Sequence, residues 1–336
     1  MSRNRQSNIE LLRIVSMLFV LILHADYAVF GYPKTNIVAA HPDVWTLRIF
    51  VEQMAIGAVD IFVLISGWFG IKSSLKGGLL YLFQIFFTAT VILLGFWLYS
   101  GCQPIEFNKI LSSYEGFWFV WAYLVLYVIS PVINAYVDKA SRREMEWLLL
   151  ALFAMDFMNV FMKIPSDFNF GYSALHFIAI YLLARYLRLY NPLASLSRRQ
   201  LLGGYVFVTV LCAVIICAAA LWWGNPWLNN LEQQLTVYNS PAVVIASVFL
   251  LLYFSRLQFQ SRVVNWLAAG SFNVYLVHQN LFLRDHYKDL VRTIDGDFVF
   301  PLSVAVMFAF VCAVFLASVI LDQPRQWIAN YIRKRF

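Results

Sequence analysis

Long apolar runs and short polar connectors alternate along almost the whole chain. The runs are about 17–25 residues long, which is the length an α-helix needs to cross a bilayer. Charged residues, Pro and Gly bound the runs and mark helix ends. The pattern predicts an all-α polytopic membrane protein with about ten transmembrane helices, at residues 9–30, 48–71, 79–100, 117–137, 146–162, 173–190, 201–223, 241–258, 262–283 and 298–321.

Composition supports the membrane class and narrows the function. The 336 residues are 61% hydrophobic and 13% charged, with a mean hydropathy of +0.69, whereas soluble domains carry about 25% charged residues. We expect a single membrane domain over residues 1–336. A Walker-type phosphate loop is missing from the sequence, which argues against an ATP-driven pump. The four cysteines have no disulfide or metal-ligand spacing, so we expect no metal.

The basic residues indicate a topology rather than a nucleic-acid partner. With the N-terminus inside, about 17 of the 25 Lys and Arg residues fall on the cytoplasmic side, and this bias follows the positive-inside rule. We therefore expect both termini in the cytoplasm, and the first helix retained rather than cleaved as a signal peptide.

The first helix carries polar residues at both ends. Within NIELLRIVSMLFVLILHADYAVF, at residues 8–30, Glu10 and Arg13 lie near one end and His24 near the other. An ionised residue at mid-bilayer costs up to about 2.5–3.5 kcal/mol on insertion scales. Arg13 and His24 are eleven positions apart, so a continuous helix puts them on nearly the same face, about 16 Å apart along its axis. Either these side chains reach the two membrane surfaces, or they form a polar stripe facing the helix bundle.

Four segments carry a resemblance to a known family. Arg13 and His24 with Glu10 before them, GAVDIFVLISGWFG at residues 57–70, WFVWAYLVLYVISPVIN at 118–134 and SFNVYLVHQN at 271–280 occur in that order. This arrangement resembles the acyltransferase-3 family of integral membrane acyltransferases. The resemblance implies transfer of an acyl group, with acetyl from acetyl-CoA expected, to a hydroxyl of a cell-envelope saccharide. It also implies a multi-pass protein of the bacterial inner (cell) membrane.

Histidine suits the proton transfer that such a reaction needs, because its unperturbed pKa lies near 6.5. His24 is the predicted general base. His278 lies about as far along the ninth predicted helix, so the two histidines are the catalytic candidates and could meet at one depth. Alternatively, His278 is an interfacial or capping residue bonded to a backbone carbonyl.

Other polar residues fall into two candidate groups. Donor binding or structural pairing is expected of Arg13, Glu10, Asp60, Lys72, Lys76 and Arg185. Asp60 lies within the second predicted helix and needs a partner such as Arg13 or a histidine. Lys72, Lys76 and Arg185 are available to coenzyme A phosphates, unless they only set the topology. Ser66 and Gly67 predict close helix packing.

Aromatic residues give the acceptor candidates. Trp118 and Trp121 are most simply an interfacial belt, and sugar stacking is the alternative under which they and Tyr275 bind the acceptor. Asp156 and His176 carry no assignment.

The sequence thus predicts a membrane-bound O-acyltransferase. Its expected partners are acyl-CoA, a saccharide or lipid-linked glycan acceptor and membrane lipid, without nucleic acid; an oligomer is left open. The rival function is a secondary transporter that uses intramembrane Arg, Asp and His as a proton or solute pathway.

Overall fold

The computed structural model describes residues 5–110, 117–162 and 167–335. Helices make up 82% of the structure, and the described residues contain no strand, which confirms the all-α polytopic class. The helices are α1 Ser7–Ala25, α2 Tyr27–Phe30, α3 Thr35–Ala40, α4 Pro42–Ala55, α5 Ala58–Phe69, α6 Leu75–Tyr99, α7 Trp118–Val137, α8 Arg142–Met162, α9 Ala174–Tyr190, α10 Arg198–Ala218 with a π-helical end Ala219–Trp223, α11 Asn225–Leu235, α12 Pro241–Ser255, α13 Arg262–Ala269, α14 Ser271–His278, α15 Leu281–Asp297, α16 Leu302–Leu321 and α17 Gln323–Arg335.

Within the described residues, seven helical segments are long and apolar enough to cross a membrane. They are Ser7–Phe30, Pro42–Phe69, Leu75–Tyr99, Trp118–Val137, Arg142–Met162, Arg198–Trp223 and Leu302–Ile332. The sixth and eighth predicted spans correspond to shorter helices, α9 with 17 residues and α12 with 15.

The ninth predicted span, 262–283, is divided among α13, α14 and the start of α15. Gly270 separates the first two helices, and the side chain of Asn280 accepts a hydrogen bond from the N–H of Phe282 at 3.1 Å, which begins α15. Gly is favoured where a helix ends, and Asn is favoured as the capping residue where a helix begins. The interruption therefore follows from local sequence that the hydropathy pattern does not reveal.

The chain forms two compact units, each with its own packing. Unit 1 comprises Met1–Lys72 and Phe119–Gln260, and unit 2 comprises Ser73–Trp118 and Ser261–Phe336. The single domain that we expect from the sequence stays a prediction.

In unit 1, α5 is the central helix and packs against α1, α9 and α12. The contact with α9 is made at Gly67, where a Cβ would lie 2.5 Å from the carbonyl oxygen of Tyr181. Gly57, just before α5, approaches the Ser247 hydroxyl on α12 equally closely. Backbone approach at glycine brings α5 and α9 close enough for their polar side chains to meet.

In unit 2, the short helix α14 packs between α6 and α16. The Thr88 hydroxyl on α6 donates to Asn273 Oδ1 at 2.5 Å, and Asn273 Nδ2 donates to the carbonyl of Ser318 on α16 at 2.8 Å. Asn273 thus joins three helices in unit 2.

Candidate active site

Helix α1 is unbroken from Ser7 to Ala25, so the axial separation of about 16 Å between Arg13 and His24 holds. At its amino-terminal end, Arg13 Nε lies 3.3 Å from Glu10 Oε2, one turn earlier. The guanidinium of Arg13 also interacts electrostatically with Tyr123 on α7, whose hydroxyl is 3.1 Å from that of Ser66 on α5. The positive charge of Arg13 is therefore paired but remains partly exposed.

The turn after α5 carries one predicted donor-binding residue, Lys72, and lies beside another, Arg185 on α9. Gly70 has a φ of +74°, and Arg185 Nη1 on α9 would lie 3.1 Å from a Cβ at that position. The N–H of Ile71 donates to the Tyr181 hydroxyl at 2.9 Å, which fixes the turn against α9. Lys72 follows and is exposed. Lys72 and Arg185 therefore belong to one surface of unit 1, whereas Lys76 lies in the first turn of α6 in unit 2.

His24 lies in the last turn of α1 and is half-buried. The next polar residue, Asp26, pairs with Arg48 on α4, with Arg48 Nη1 3.1 Å from Asp26 Oδ1. The guanidinium of Arg48 also covers the ring of Phe30 at 3.6 Å. At this end of α1, His24 therefore lies two residues before an ion pair with α4.

His278 is buried in unit 2 at the end of α14. Its Nδ1 lies 2.6 Å from the carbonyl oxygen of Val274, which can only accept, so Nδ1 carries the proton and Nε2 is left as the basic atom. The rings of Tyr275 and Tyr287 lie 6.1 and 5.8 Å from the imidazole. Because His24 and His278 belong to different units, their convergence stays a prediction.

The predicted acceptor residues differ in exposure. Trp121 in unit 1 is exposed, and Trp118 in unit 2 is partly buried. Tyr275 is buried, with its ring 5.8 Å from that of Phe117. Their role in binding an acceptor stays a prediction.

Asp60 has a histidine partner that sequence reasoning left unassigned. His176 Nε2 on α9 lies 3.0 Å from Asp60 Oδ1, and its Nδ1 lies 2.7 Å from Asp156 Oδ2 on α8. Asn239 Nδ2 donates to Asp156 Oδ1 at 2.8 Å. All four side chains are fully buried, and we call this set the His176 network. It joins α5, α8 and α9 to the segment after α11.

A second buried polar group was also missed from sequence. Tyr27 on α2, Glu52 on α4 and Glu232 on α11 form what we call the Glu52 cluster. The backbone N–H of Tyr27 donates to the Glu52 carboxylate, and Glu232 interacts electrostatically with both residues. The available signal was an acid inside the apolar run 48–71.

Comparison with known families identifies the class of protein, an acyltransferase. Residues 6–323 match the acyltransferase-3 family model, described as an acyltransferase domain. The chain belongs to this family, which confirms the resemblance and favours an enzyme over a secondary transporter. No curated protein and no solved structure matches the chain.

Proposed function

We propose that this membrane acyltransferase transfers an acyl group, with acetyl expected, from acyl-CoA to a hydroxyl of a cell-envelope saccharide. The observation that carries the proposal is the unbroken helix α1, which joins the paired Arg13 at one end to His24 at the other. The expected site of action is the bacterial inner membrane.

The amino-terminal end of α1 is the proposed donor side. The positive-inside rule puts this end in the cytoplasm, where acyl-CoA is made. Arg13, Lys72 and Arg185 all belong to unit 1, and guanidinium and ammonium groups bind phosphate through charge-assisted hydrogen bonds. The thioester would extend along the face of α1 towards His24.

His24 is the proposed general base. It takes the proton of the acceptor hydroxyl as the hydroxyl oxygen attacks the thioester carbonyl carbon. The new C–O bond forms, the C–S bond breaks, and the imidazolium returns the proton to the departing thiolate. The products are an O-acyl ester and free coenzyme A. The Nε2 atom of His278 is the second candidate for the same proton.

Donor-binding calorimetry on purified protein tests the division between the two ends. Lys72→Gln and Arg185→Gln should weaken coenzyme A binding in a salt-dependent way, whereas His24→Ala should bind it normally and stop turnover. If coenzyme A binds equally well to both basic variants, the donor side lies elsewhere.

Mass spectrometry of envelope glycans tests the acceptor class. Glycans from cells that express the protein should be heavier by one acyl group than those from cells without it or with His24→Ala. Identical glycan masses would contradict a saccharide acceptor.

Labelling of single cysteines with a membrane-impermeant reagent tests the topology, in a background where the four native cysteines are replaced. Cysteines at Asn36 and Gln234 should react in intact cells, and a cysteine at Ser141 should not. Reaction of the cysteine at Ser141 would show that the orientation in the membrane is the opposite one.

A further inference from the structure

The Glu52 cluster contains three buried polar atoms without partners. Among the residues that the structure describes, the Tyr27 hydroxyl, Glu52 Oε2 and Glu232 Oε1 accept or donate no hydrogen bond. The three residues are only 7%, 5% and 4% exposed. Burying such groups unsatisfied costs their full desolvation, and native proteins do so rarely.

The three side chains interact from three helices. The carboxylates of Glu52 and Glu232 both act electrostatically on the phenol of Tyr27 and on each other. Since the unpartnered hydroxyl is neutral and lies on a different helix from either acid, the arrangement is more than a cluster of acids. It can offer several hydrogen bonds to one small molecule.

We propose that the Glu52 cluster binds the sugar ring that carries the acceptor hydroxyl. The inference rests on the proposed function and names the acceptor subsite within it. A sugar supplies several hydroxyl groups on one rigid ring, and each can donate to a carboxylate or accept from a phenol.

Aromatic rings beside the cluster fit the same ligand. The exposed Tyr32 contacts Tyr27 edge-to-face, with ring centroids 5.4 Å apart, and interacts with Glu52 and Glu232. Tyr172 is also exposed, and its ring centroid lies 4.8 Å from that of Tyr238. Tyrosine presents an apolar face and a polar edge, so these side chains can cover one face of a sugar.

The cluster is close to the predicted base along the chain. Tyr27 follows His24 by three residues, which span at most about 11 Å between Cα atoms. A sugar held by Tyr27 and Glu52 would therefore have its hydroxyls within reach of a side chain on the last turn of α1.

The charges of the cluster select against anionic sugars. The cluster offers acids rather than a cation to a uronic acid, and the nearby guanidinium of Arg48 is already paired with Asp26. Burial raises the pKa of Glu232 to about 8, so this carboxyl group carries a proton in much of the population at neutral pH and can donate as well as accept. The preferred acceptor is a neutral or amino sugar.

Direct glycoside binding tests the subsite independently of transfer. The probes are methyl glucoside, methyl N-acetylglucosaminide and methyl glucuronide, titrated into purified protein by calorimetry. The wild type and His24→Ala should bind at least one neutral probe more tightly than the glucuronide. Glu52→Gln and Tyr27→Phe should weaken that binding about tenfold or more. The exposed Glu106→Gln is the matched control and should bind normally.

Normal coenzyme A binding shows that a variant is folded. Acyl transfer to the neutral probe then distinguishes failure of the acceptor subsite from failure of the proposed function. Weakened glycoside binding in Glu52→Gln and Tyr27→Phe supports the subsite even if no transfer is detected, in which case only the proposed function fails. Transfer with an unchanged acceptor KM in both variants overturns the subsite while the function stands. Equal binding of glucuronide, or no binding of any probe, also overturns it.

Discussion

The His176 network and the Glu52 cluster are both buried within unit 1, but their polar atoms are used differently. Both ring nitrogens of His176 are bonded to carboxylates, and Asn239 donates to Asp156. Asp60 Oδ2 and Asn239 Oδ1 have no hydrogen-bond partner among the described residues, and in the Glu52 cluster the hydroxyl of Tyr27 and one oxygen of each acid have none either. Side-chain hydrogen bonds join every member of the His176 network to another member, whereas the Tyr27 hydroxyl makes none to either acid of the Glu52 cluster.

Position in the chain explains part of this difference. Asp60 and His176 lie on α5 and α9, whose backbones meet at Gly67, and so their side chains are held at bonding distance. Glu52 and Glu232 lie on α4 and α11, and no hydrogen bond joins Glu52 Oε2 to Glu232 Oε1. The His176 network therefore stabilises the packing of these helices, and the Glu52 cluster is the candidate for a ligand.

Replacing His24, which precedes the Glu52 cluster in the chain, should have the largest effect on the reaction. We expect His24→Ala to lower acyl transfer by about 10²–10⁴-fold, because the general base is lost. Its thermal unfolding in detergent should match the wild type, since alanine adds no buried charge. A coenzyme A release assay measures the rate, and a normal rate at normal expression would remove His24 from the mechanism.

Replacing His176 in the His176 network should lower the stability of the fold instead. His176→Ala leaves Asp60 and Asp156 buried without their shared partner, and breaking such a buried pair costs about 3–5 kcal/mol. Thermal unfolding measures this loss. The control is His286→Ala, at an exposed position in α15, which should unfold like the wild type. Unchanged stability in His176→Ala would show that the network does not hold the fold.

The Glu52 cluster should make stability depend on pH. Burial raises the pKa of Glu232 from about 4.5 to about 8, so the folded state binds the proton more tightly than the unfolded state. Its contribution to stability is therefore complete below about pH 4.5 and is lost as the pH rises through 8. Tyr27, Glu52 and Tyr32 are the titratable groups that interact with Glu232.

We expect Glu232→Gln to remove most of this loss, on the order of a few kcal/mol. Unfolding temperatures between pH 5 and 9 measure the difference. Parallel pH profiles for the variant and the wild type would show that Glu232 titrates normally.

The smallest expected effect concerns the contact between the backbones of α5 and α9 at Gly67, which supports the His176 network. Gly67→Ala should destabilise the protein by about 1–3 kcal/mol, because its Cβ would strike the Tyr181 carbonyl and push α5 from α9. Gly203→Ala on α10 is the control, since its Cβ would meet open space and alanine favours a helix by about 1 kcal/mol. Equal destabilisation by both changes would contradict the contact.

Local features of the fold follow readily from the sequence. The apolar runs predict the membrane class, and Gly67 predicts close packing of α5. The three-residue spacing of Glu10 and Arg13 allows their ion pair on one face of α1. The breaks at Gly270 and Asn280 were missed because a hydropathy pattern averages over the residues that end a helix.

Long-range pairings in the site do not follow from sequence. The need of Asp60 for a partner was evident, but His176 lies 116 residues away, and only the packing of α5 on α9 brings the two together. Glu52 is an acid in an apolar run, a signal that the sequence analysis did not use, whereas Glu232 belongs to a polar connector with many similar residues. Their proximity depends on tertiary structure.

The end of α1 at Asp26 has an electrical consequence for His24. Peptide dipoles along an unbroken helix add up to a partial negative charge at its carboxy terminus, where the last carbonyls lack intrahelical donors. His24 lies in this last turn. The helix therefore stabilises the imidazolium that forms when the ring accepts a proton, by about 0.3–2 kcal/mol. The same dipole places its positive end beside Glu10, so one helix favours charge of opposite sign at its two ends.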